Sequence, residues 1–323
     1  MHGAVQSRKA GIGTLAGFMA VLLWALLALF TTGARGIPPF QLVAMSFALA
    51  FVLAMVLMIA RGGVARLGVL RQPLPVWLLG VGGLFGYHFF YFLALANAPP
   101  ADASLIAYLW PLLIVLFSAL LPGERLRWFH VAGALAGFAG AGLLITGGGN
   151  LTFDDRYMLG YLAAAACALI WSSYSVLNRS FSHVPTDVVG GFCGAVAVLG
   201  AVCHLAFEQT VVPLPGQWLA IAALGSGPVG AAFFLWDYGT KHGHIQLLGV
   251  SSYAAPLLST IVLVAFGLAP ATPVLAIACS LIVLGALIAS ADILRRSGFS
   301  GPLFRRRKAP SPQPPTGRAR RSR

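Results

Sequence analysis

Charged side chains are scarce in this sequence. Asp, Glu, Lys and Arg together make up 9% of the 323 residues, whereas soluble domains contain about 25%. Only 8 residues are acidic, and neither a G-x-S-x-G nucleophile motif nor a G-x-x-x-x-G-K-[ST] phosphate-binding motif occurs. This composition excludes an ordinary soluble domain. We expect the chain not to be an enzyme, and an integral-membrane enzyme is the alternative from another functional class.

Candidate metal ligands and redox residues are equally few. His242 and His244 are two residues apart, so they do not share a helix face. Cysteines within apolar segments are typical of small buried packing residues rather than of disulfides or metal ligands. All four cysteines have that setting, at Cys167, Cys193, Cys203 and Cys279. We therefore expect no metal and no cofactor.

Long apolar segments account for most of the chain, since 59% of its residues are hydrophobic. A helix needs about 20 apolar residues to cross the hydrocarbon core of a membrane. Ten segments meet that requirement, at 12–32, 38–60, 74–96, 101–121, 127–146, 157–178, 186–206, 216–239, 245–267 and 271–292. The predicted fold is therefore an all-α polytopic membrane protein with ten transmembrane helices, in contact with membrane lipid.

The basic residues predict how the chain is oriented, because cytoplasmic loops are enriched in Lys and Arg. With a cytoplasmic N-terminus, 19 of the 21 basic residues fall on the cytoplasmic side, and only Arg35 and Arg156 fall on the other. Ten of the 19 lie at 293–323, a proline-rich segment that we expect to be a disordered cytoplasmic tail. The net charge of +13 thus reflects topology and predicts no nucleic-acid partner. Both termini are placed in the cytoplasm of a bacterial-type inner membrane.

The sequence repeats itself after 145 residues. With that shift, the Tyr-x-x-Pro segment at 108–111 coincides with the Tyr-x-x-Pro segment at 253–256. Each copy contains five predicted spans, over 12–146 and 157–292. Because five is an odd number, the second copy enters the membrane the other way up. Inverted repeats of this kind are typical of secondary transporters, which hold their substrate between the two halves.

Several segments carry a resemblance to a known family. The surroundings of Trp24 and Trp171, together with GERLRWFHVAGALAGFAGAGLLI at 123–145, resemble the drug/metabolite transporter superfamily, specifically its EamA-type members. The segments GYHFFYFLALANAPPADASLIAYLWPLLIVLFSALLPGERL and FFLWDYGTKHG are similar to the aromatic amino-acid exporter branch. The resemblance covers about residues 12–292 and implies two five-helix repeats and an exporter. One departure is that Glu124–Arg125 has no counterpart at Ala269–Pro270, so that pair is not a symmetric functional element.

Each copy places a tyrosine three residues before a proline inside an apolar span. Proline lacks the N–H that would bond the carbonyl one turn earlier, and within lipid that carbonyl needs another partner. The carbonyls concerned belong to Ala107 and Ser252. Because residues three apart share a helix face, each copy is expected to present a kink, a free carbonyl and a phenol to one place. The alternative is a kink whose carbonyl is satisfied by a neighbouring helix.

Aromatic side chains lie deep in the predicted spans. Trp24, Trp110 and Trp171 are nearer to the middle of their spans than to the interfaces that tryptophan usually favours. They are either packing residues or the walls of a pocket for a flat, mostly apolar ligand. His88 is either a polar handle in that pocket or a structural group. The candidate substrate-binding residues are His88, Tyr91, Tyr108, Trp110, Pro111, Trp24, Trp171, Trp236, Tyr253 and Pro256.

Three acidic residues near or within predicted spans are candidates for a functional charge in the membrane, namely Asp102, Asp237 and Asp292. Asp237 is four residues before Lys241, so the two are expected to pair on one helix face. Asp102 and Asp292 lie at span ends and are expected to be solvated.

The predicted function is secondary transport of aromatic or other large neutral amino acids, or similar apolar metabolites, across the inner membrane, and the family resemblance implies that the direction is export. The mechanism would be alternating access through a central aromatic-lined cavity. A transporter of another substrate class, such as a nucleobase, a vitamin or a lipophilic drug, is the alternative.

Gly133 and Gly137 have the GxxxG spacing that allows close helix approach, and we expect them to pack internally. The oligomeric state stays open, with a monomer as one option.

Overall fold

The structure is a computed structural model that describes residues 2–149 and 154–291. These two ranges are helical and contain no strand. Short 3₁₀ turns join several helices, and a π-helical turn at Gly227–Ala231 directly follows the helix Pro215–Ser226. The helices are α1 His2–Ala25, α2 Leu27–Gly33, α3 Pro39–Gly62, α4 Leu74–Asn97, α5 Pro100–Ala107, α6 Trp110–Phe117, α7 Trp128–Thr146, α8 Met158–Leu177, α9 Val189–Phe207, α10 Pro215–Ser226, α11 Ala232–His242, α12 Ile245–Ser251, α13 Ala254–Ala265 and α14 Pro273–Ala289.

Within the described residues, nine helical stretches are long and apolar enough to cross a membrane. They are Arg8–Gly33, Pro39–Gly62, Leu74–Asn97, Pro100–Leu120, Trp128–Thr146, Asp155–Phe181, Thr186–Phe207, Pro215–His242 and Ile245–Ala265. A further apolar helix, α14, has 17 residues, which is at the lower limit for a span. The predicted tail at 293–323 and Asp292 lie outside the described residues. This part of the chain is that of a multi-pass membrane protein.

Prolines mark where several helices begin. Pro39, Pro100, Pro215 and Pro273 each occupy the first position of a helix. The first N–H groups of a helix have no partner within it, so proline loses nothing there, and its fixed φ already suits the helix. Proline therefore begins some spans, and where it lies further inside a span it interrupts the helix.

Helices from the first half of the chain pack mainly against helices from the second half. The most extensive pairs are α7 with α14, α3 with α9, α4 with α8 and α1 with α11. Glycine permits the close approach of α7 and α14, because a Cβ added to Gly133 would lie 2.5 Å from the Gly285 carbonyl oxygen. The expectation that the Gly133–Gly137 face packs internally is confirmed. The two halves share one hydrophobic core rather than forming separate bodies.

Candidate substrate-binding cavity

Four of the apolar spans are interrupted in the middle. The breaks lie at Leu26, at 108–109, at the π-helical turn 227–231 and at 252–253. Three of them contain or closely precede a proline, which lacks the N–H that a continuous helix would use. Non-helical backbone at membrane depth is tolerated where it is buried in protein or lines a cavity.

A cavity of about 110 Å³ lies where the four breaks approach one another. Each break has at least one wall residue in it or within two residues of it: Leu27, Tyr108, Pro228 with Val229, and Ala255. The other lining residues are Trp24, Tyr87, His88, Trp110, Trp171 and Phe233. None of these lining residues is Asp, Glu, Lys or Arg, so the wall is mainly aromatic with a few polar atoms.

Four tryptophans from four different spans form one cluster at this site. Trp24, Trp110, Trp171 and Trp236 contact each other in every pairing, with ring centroids from 5.0 to 6.3 Å apart. Most of these contacts are edge-to-face, the arrangement that aromatic quadrupoles favour. Three of the four line the cavity, whereas Trp236 is fully buried behind them and donates its indole N–H to the Ser175 hydroxyl at 3.0 Å.

His88 lines the cavity, and its Nε2 is the ring nitrogen that is left for a hydrogen bond to a substrate. Its Nδ1 lies 2.7 Å from the Leu84 carbonyl oxygen one turn earlier. Since a carbonyl only accepts, Nδ1 carries the hydrogen, and in the neutral ring Nε2 is then an acceptor. The ring is surrounded by aromatic neighbours, with Phe47 at 5.3 Å and Phe233 at 6.3 Å between centroids.

Tyr91, a predicted site residue, does not line the cavity. Its hydroxyl lies 3.2 Å from the Ser104 hydroxyl, and its ring stacks on Tyr87 at 6.0 Å. Tyr87 is the residue that reaches the cavity, and sequence reasoning missed it. The signal was available, because Tyr87 and Tyr91 are four apart and so share a helix face.

The two tyrosine–proline copies have different surroundings. Tyr108 lines the cavity, but Tyr253 is fully buried outside it, and its hydroxyl accepts the Leu112 N–H at 3.1 Å. The expectation of a free Ser252 carbonyl is wrong, since that carbonyl accepts the Ala255 N–H at 3.1 Å in a tight turn. Neither proline is in the cavity wall, although Pro111 and Pro256 directly adjoin Trp110 and Ala255, which are.

Other wall residues escaped the sequence analysis. The π-helical turn contributes Pro228 and Val229, and the Pro228 carbonyl accepts the Trp24 indole N–H at 3.1 Å. A proline between two glycines, as in SGPVG at 226–230, is a signal for an interrupted helix, but it has no counterpart in the first repeat. Phe233, one turn before Trp236 on α11, gave no separate signal.

Charged residues gather near the ends of the spans rather than in the cavity. Lys241 and Asp237 are both buried and pair at 2.9 Å, as predicted. The same carboxylate accepts from Asn178 Nδ2 at 3.0 Å and from the Thr186 hydroxyl at 2.6 Å. Buried carboxylates need such partners, because an unpaired one is costly to desolvate.

Two further acidic residues, Glu124 and Asp102, also have hydrogen-bond partners. Glu124 pairs with Arg179 at 2.9 Å and accepts from Gln246 Nε2 at 2.9 Å. Asp102 was expected to be solvated, and that is wrong, since it is buried and accepts the Tyr161 hydroxyl at 3.3 Å. Across the described ranges, no group of three or more His, Cys, Asp or Glu residues could hold a metal ion.

Comparison with known proteins places this chain in a family. A model of the EamA-like transporter family matches the chain twice, over residues 11–146 and 158–291. The chain is 58% identical over 278 residues to a protein of Ancylobacter novellus named aromatic amino acid exporter YddG, covering 86% of this chain and 96% of that protein. The protein of the same name in Escherichia coli (strain K12) is 26% identical over 76% of this chain and 86% of its own length.

A solved crystal structure agrees with the fold. It superposes with a TM-score of 0.84 at 57% sequence identity, over 88% of this chain and 98% of its own. The two matches of the family model include all eleven residues of the cavity wall as well as Trp236, and they cover most of the chain. This chain belongs to the EamA-like transporter family.

Proposed function

We propose that this protein is a secondary transporter that exports aromatic or other large neutral amino acids across the inner membrane. The observation that carries the proposal is the cavity, which combines three tryptophans, two tyrosines, a phenylalanine and a histidine at the meeting point of four helix breaks. The names of the relatives from Ancylobacter novellus and Escherichia coli (strain K12) support the same substrate class.

The wall chemistry suits a flat apolar side chain joined to a small polar group. The rings of Trp24, Trp110 and Trp171 provide stacking surface and exclude water. His88 Nε2 and the Tyr108 hydroxyl offer hydrogen bonds. The first turns of α6 and α13 reach the wall through Trp110 and Ala255, and the positive ends of such half-helices favour a carboxylate. The Ala107 carbonyl, whose partner in a continuous helix would be the N–H that Pro111 lacks, would accept from the ammonium group.

The proposed architecture is two inverted five-helix repeats, 12–146 and 157–292. Support comes from the double match of the family model and from the helix pairs. In chain order, α1, α3, α4 and α7 belong to the first, second, third and fifth spans, and α8, α9, α11 and α14 belong to the sixth, seventh, eighth and tenth. If every span is replaced by its equivalent in the other half, the α1–α11 pair becomes the α8–α4 pair, while the α3–α9 and α7–α14 pairs stay the same. Such a relation is expected of a pseudo-two-fold axis in the membrane plane. Transport would proceed by rocking of these halves around the cavity.

The experiment is transport by the purified protein in liposomes. Radiolabelled phenylalanine should move faster than radiolabelled glutamate or lysine, because no charged side chain lines the cavity to pair with either. Protein-free liposomes provide the background. A preference for glutamate or lysine over phenylalanine would contradict the proposal.

The uncharged wall also favours a second candidate, export of a neutral aromatic metabolite that is not an amino acid. Competition decides between the two. If a neutral aromatic compound such as indole blocks phenylalanine transport but phenylalanine itself is transported poorly, the second candidate is the better description.

A further inference from the structure

Tyr253 makes a hydrogen bond to the backbone of a distant span. Its hydroxyl accepts the N–H of Leu112 at 3.1 Å, across 141 residues of sequence. The ring is fully buried and lies outside the cavity wall. Any effect of the Tyr253 hydroxyl on the cavity must therefore act through the span that contains Leu112.

The contacted N–H belongs to an interrupted helix. In a continuous helix, the Leu112 N–H would bond the Tyr108 carbonyl one turn earlier, and residue 111 would bond the Ala107 carbonyl. Pro111 has no N–H, and Leu112 donates to Tyr253 instead. Two successive helical bonds are thus missing at the point where the chain leaves α5 and enters α6. Tyr108 lies in this break and Trp110 directly follows it, and both line the cavity.

The ring of Tyr253 is held firmly in position. A Cβ added to Gly137 of α7 would lie 2.5 Å from the Tyr253 ring, so only glycine permits this approach. Phe138 contacts the other side with centroids 6.2 Å apart. A rigidly packed hydroxyl is a suitable partner for a backbone group that must not return to its helix.

We propose that Tyr253 is a positioning residue, whose hydroxyl holds the α5–α6 break open so that Tyr108 and Trp110 face the cavity. The two tyrosine–proline copies have then diverged, since one phenol belongs to the wall and its repeat equivalent supports that wall. This inference rests on the proposed transport function for its transport readout only.

The test compares two changes that each remove one buried hydroxyl. Tyr253→Phe deletes the bond to Leu112. Tyr174→Phe is the matched control, because the Tyr174 hydroxyl is buried and has no hydrogen-bond partner among the described residues. Amide hydrogen exchange of residues 108–117 and the KM and maximal rate for phenylalanine are measured on the full-length protein in liposomes.

We expect Tyr253→Phe to speed amide exchange in residues 108–117 and to raise KM about 2- to 10-fold, the range for one hydrogen bond. The maximal rate should change less than KM, and Tyr174→Phe should match the wild type. Unchanged exchange and KM in Tyr253→Phe, or equal effects of both substitutions, would overturn the inference. If the wild type does not transport phenylalanine, the proposed function fails, while the exchange comparison still decides the role of Tyr253.

A second variant covers the case in which Tyr253→Phe does not fold. Gly137→Ala displaces the Tyr253 ring without altering either hydrogen-bonding partner. Gly82→Ala is its control, because an added Cβ there meets nothing within 4 Å. Faster exchange at 108–117 in the first and not in the second supports the inference, and equal exchange in both contradicts it.

Discussion

At the residue scale, the cluster of four tryptophans combines one fully buried ring with three rings that line the cavity. Every ring in it contacts the other three, so each ring fixes the orientation of the rest. Trp236 has no access to the cavity, and its indole N–H is satisfied by Ser175. Substitutions of Trp236 and of the wall tryptophans should therefore differ, the first acting mainly on stability and the others mainly on affinity.

The substitution Trp110→Ala removes one aromatic wall of the cavity. We expect phenylalanine affinity to fall by about 5- to 150-fold, which corresponds to about 1–3 kcal/mol for one large apolar side chain. Binding is measured by titration of the purified protein, after membrane abundance and melting temperature are found normal. Trp128→Ala is the control, since Trp128 is 77% exposed at the start of α7. Equal affinities for the two variants would remove Trp110 from the site.

The substitution His88→Phe keeps a ring of similar shape but removes the acceptor Nε2. We expect the KM for phenylalanine to rise about 2- to 10-fold, as for the loss of one hydrogen bond. The liposome assay measures it, with His183→Phe as the control because His183 is exposed on a connecting segment. A wild-type KM in His88→Phe would mean that His88 only packs among its aromatic neighbours.

At the element scale, the positions of the apolar spans could be predicted from the sequence, but only some of the breaks within them could. The second predicted span, 38–60, corresponds to Pro39–Gly62, because length and hydropathy depend on the segment alone. The kink before Pro111 was predicted from proline chemistry, whereas the break at 227–231 was not. Which carbonyls remain free depends on neighbouring turns, and this is why the expectation for Ser252 failed while Tyr253 acquired an unforeseen partner on another span.

The buried Asp237–Lys241 pair joins α11 to the connection before α9, and its loss should destabilise the protein. Asp237→Asn leaves the Lys241 ammonium without its counter-ion, which typically costs about 3–5 kcal/mol of the free energy of unfolding. Thermal melting of the purified protein in detergent measures the loss. The double variant Asp237→Asn/Lys241→Met should melt closer to the wild type, because it leaves no unpaired buried charge.

An exposed pair provides the comparison. Arg66 and Asp187 also pair at 2.8 Å, but their side chains are 45% and 24% exposed. Solvent-exposed pairs contribute about 0–1 kcal/mol, so Asp187→Asn should barely alter the melting temperature. If Asp237→Asn is equally mild, the buried pair does not hold these elements together.

At the scale of the whole molecule, the two halves of the chain are interleaved. Each of the most extensive helix pairs joins one half to the other, and the four interrupted spans come from both halves. A sequence comparison of the halves indicates the repeat but not this interleaving, since contacts between distant helices leave no periodic signal. The two halves also supply different residues to the cavity. For example, Pro228 lines the cavity, and the residue 145 positions earlier is Gly83, which does not.

The orientation of the whole chain is the remaining prediction. With both termini cytoplasmic, 19 of 21 basic residues lie on the cytoplasmic side, as the positive-inside rule requires. Five spans separate the N-terminus from residue 150, so a reporter fused at 150 should lie outside, whereas a reporter at the C-terminus should lie inside. A fusion at Gly123, after four spans, is the control and should agree with the C-terminal one. A reporter at 150 on the same side as the C-terminus would contradict the predicted odd number of spans in each half, and with it the proposed inverted arrangement on which the proposed alternating access depends.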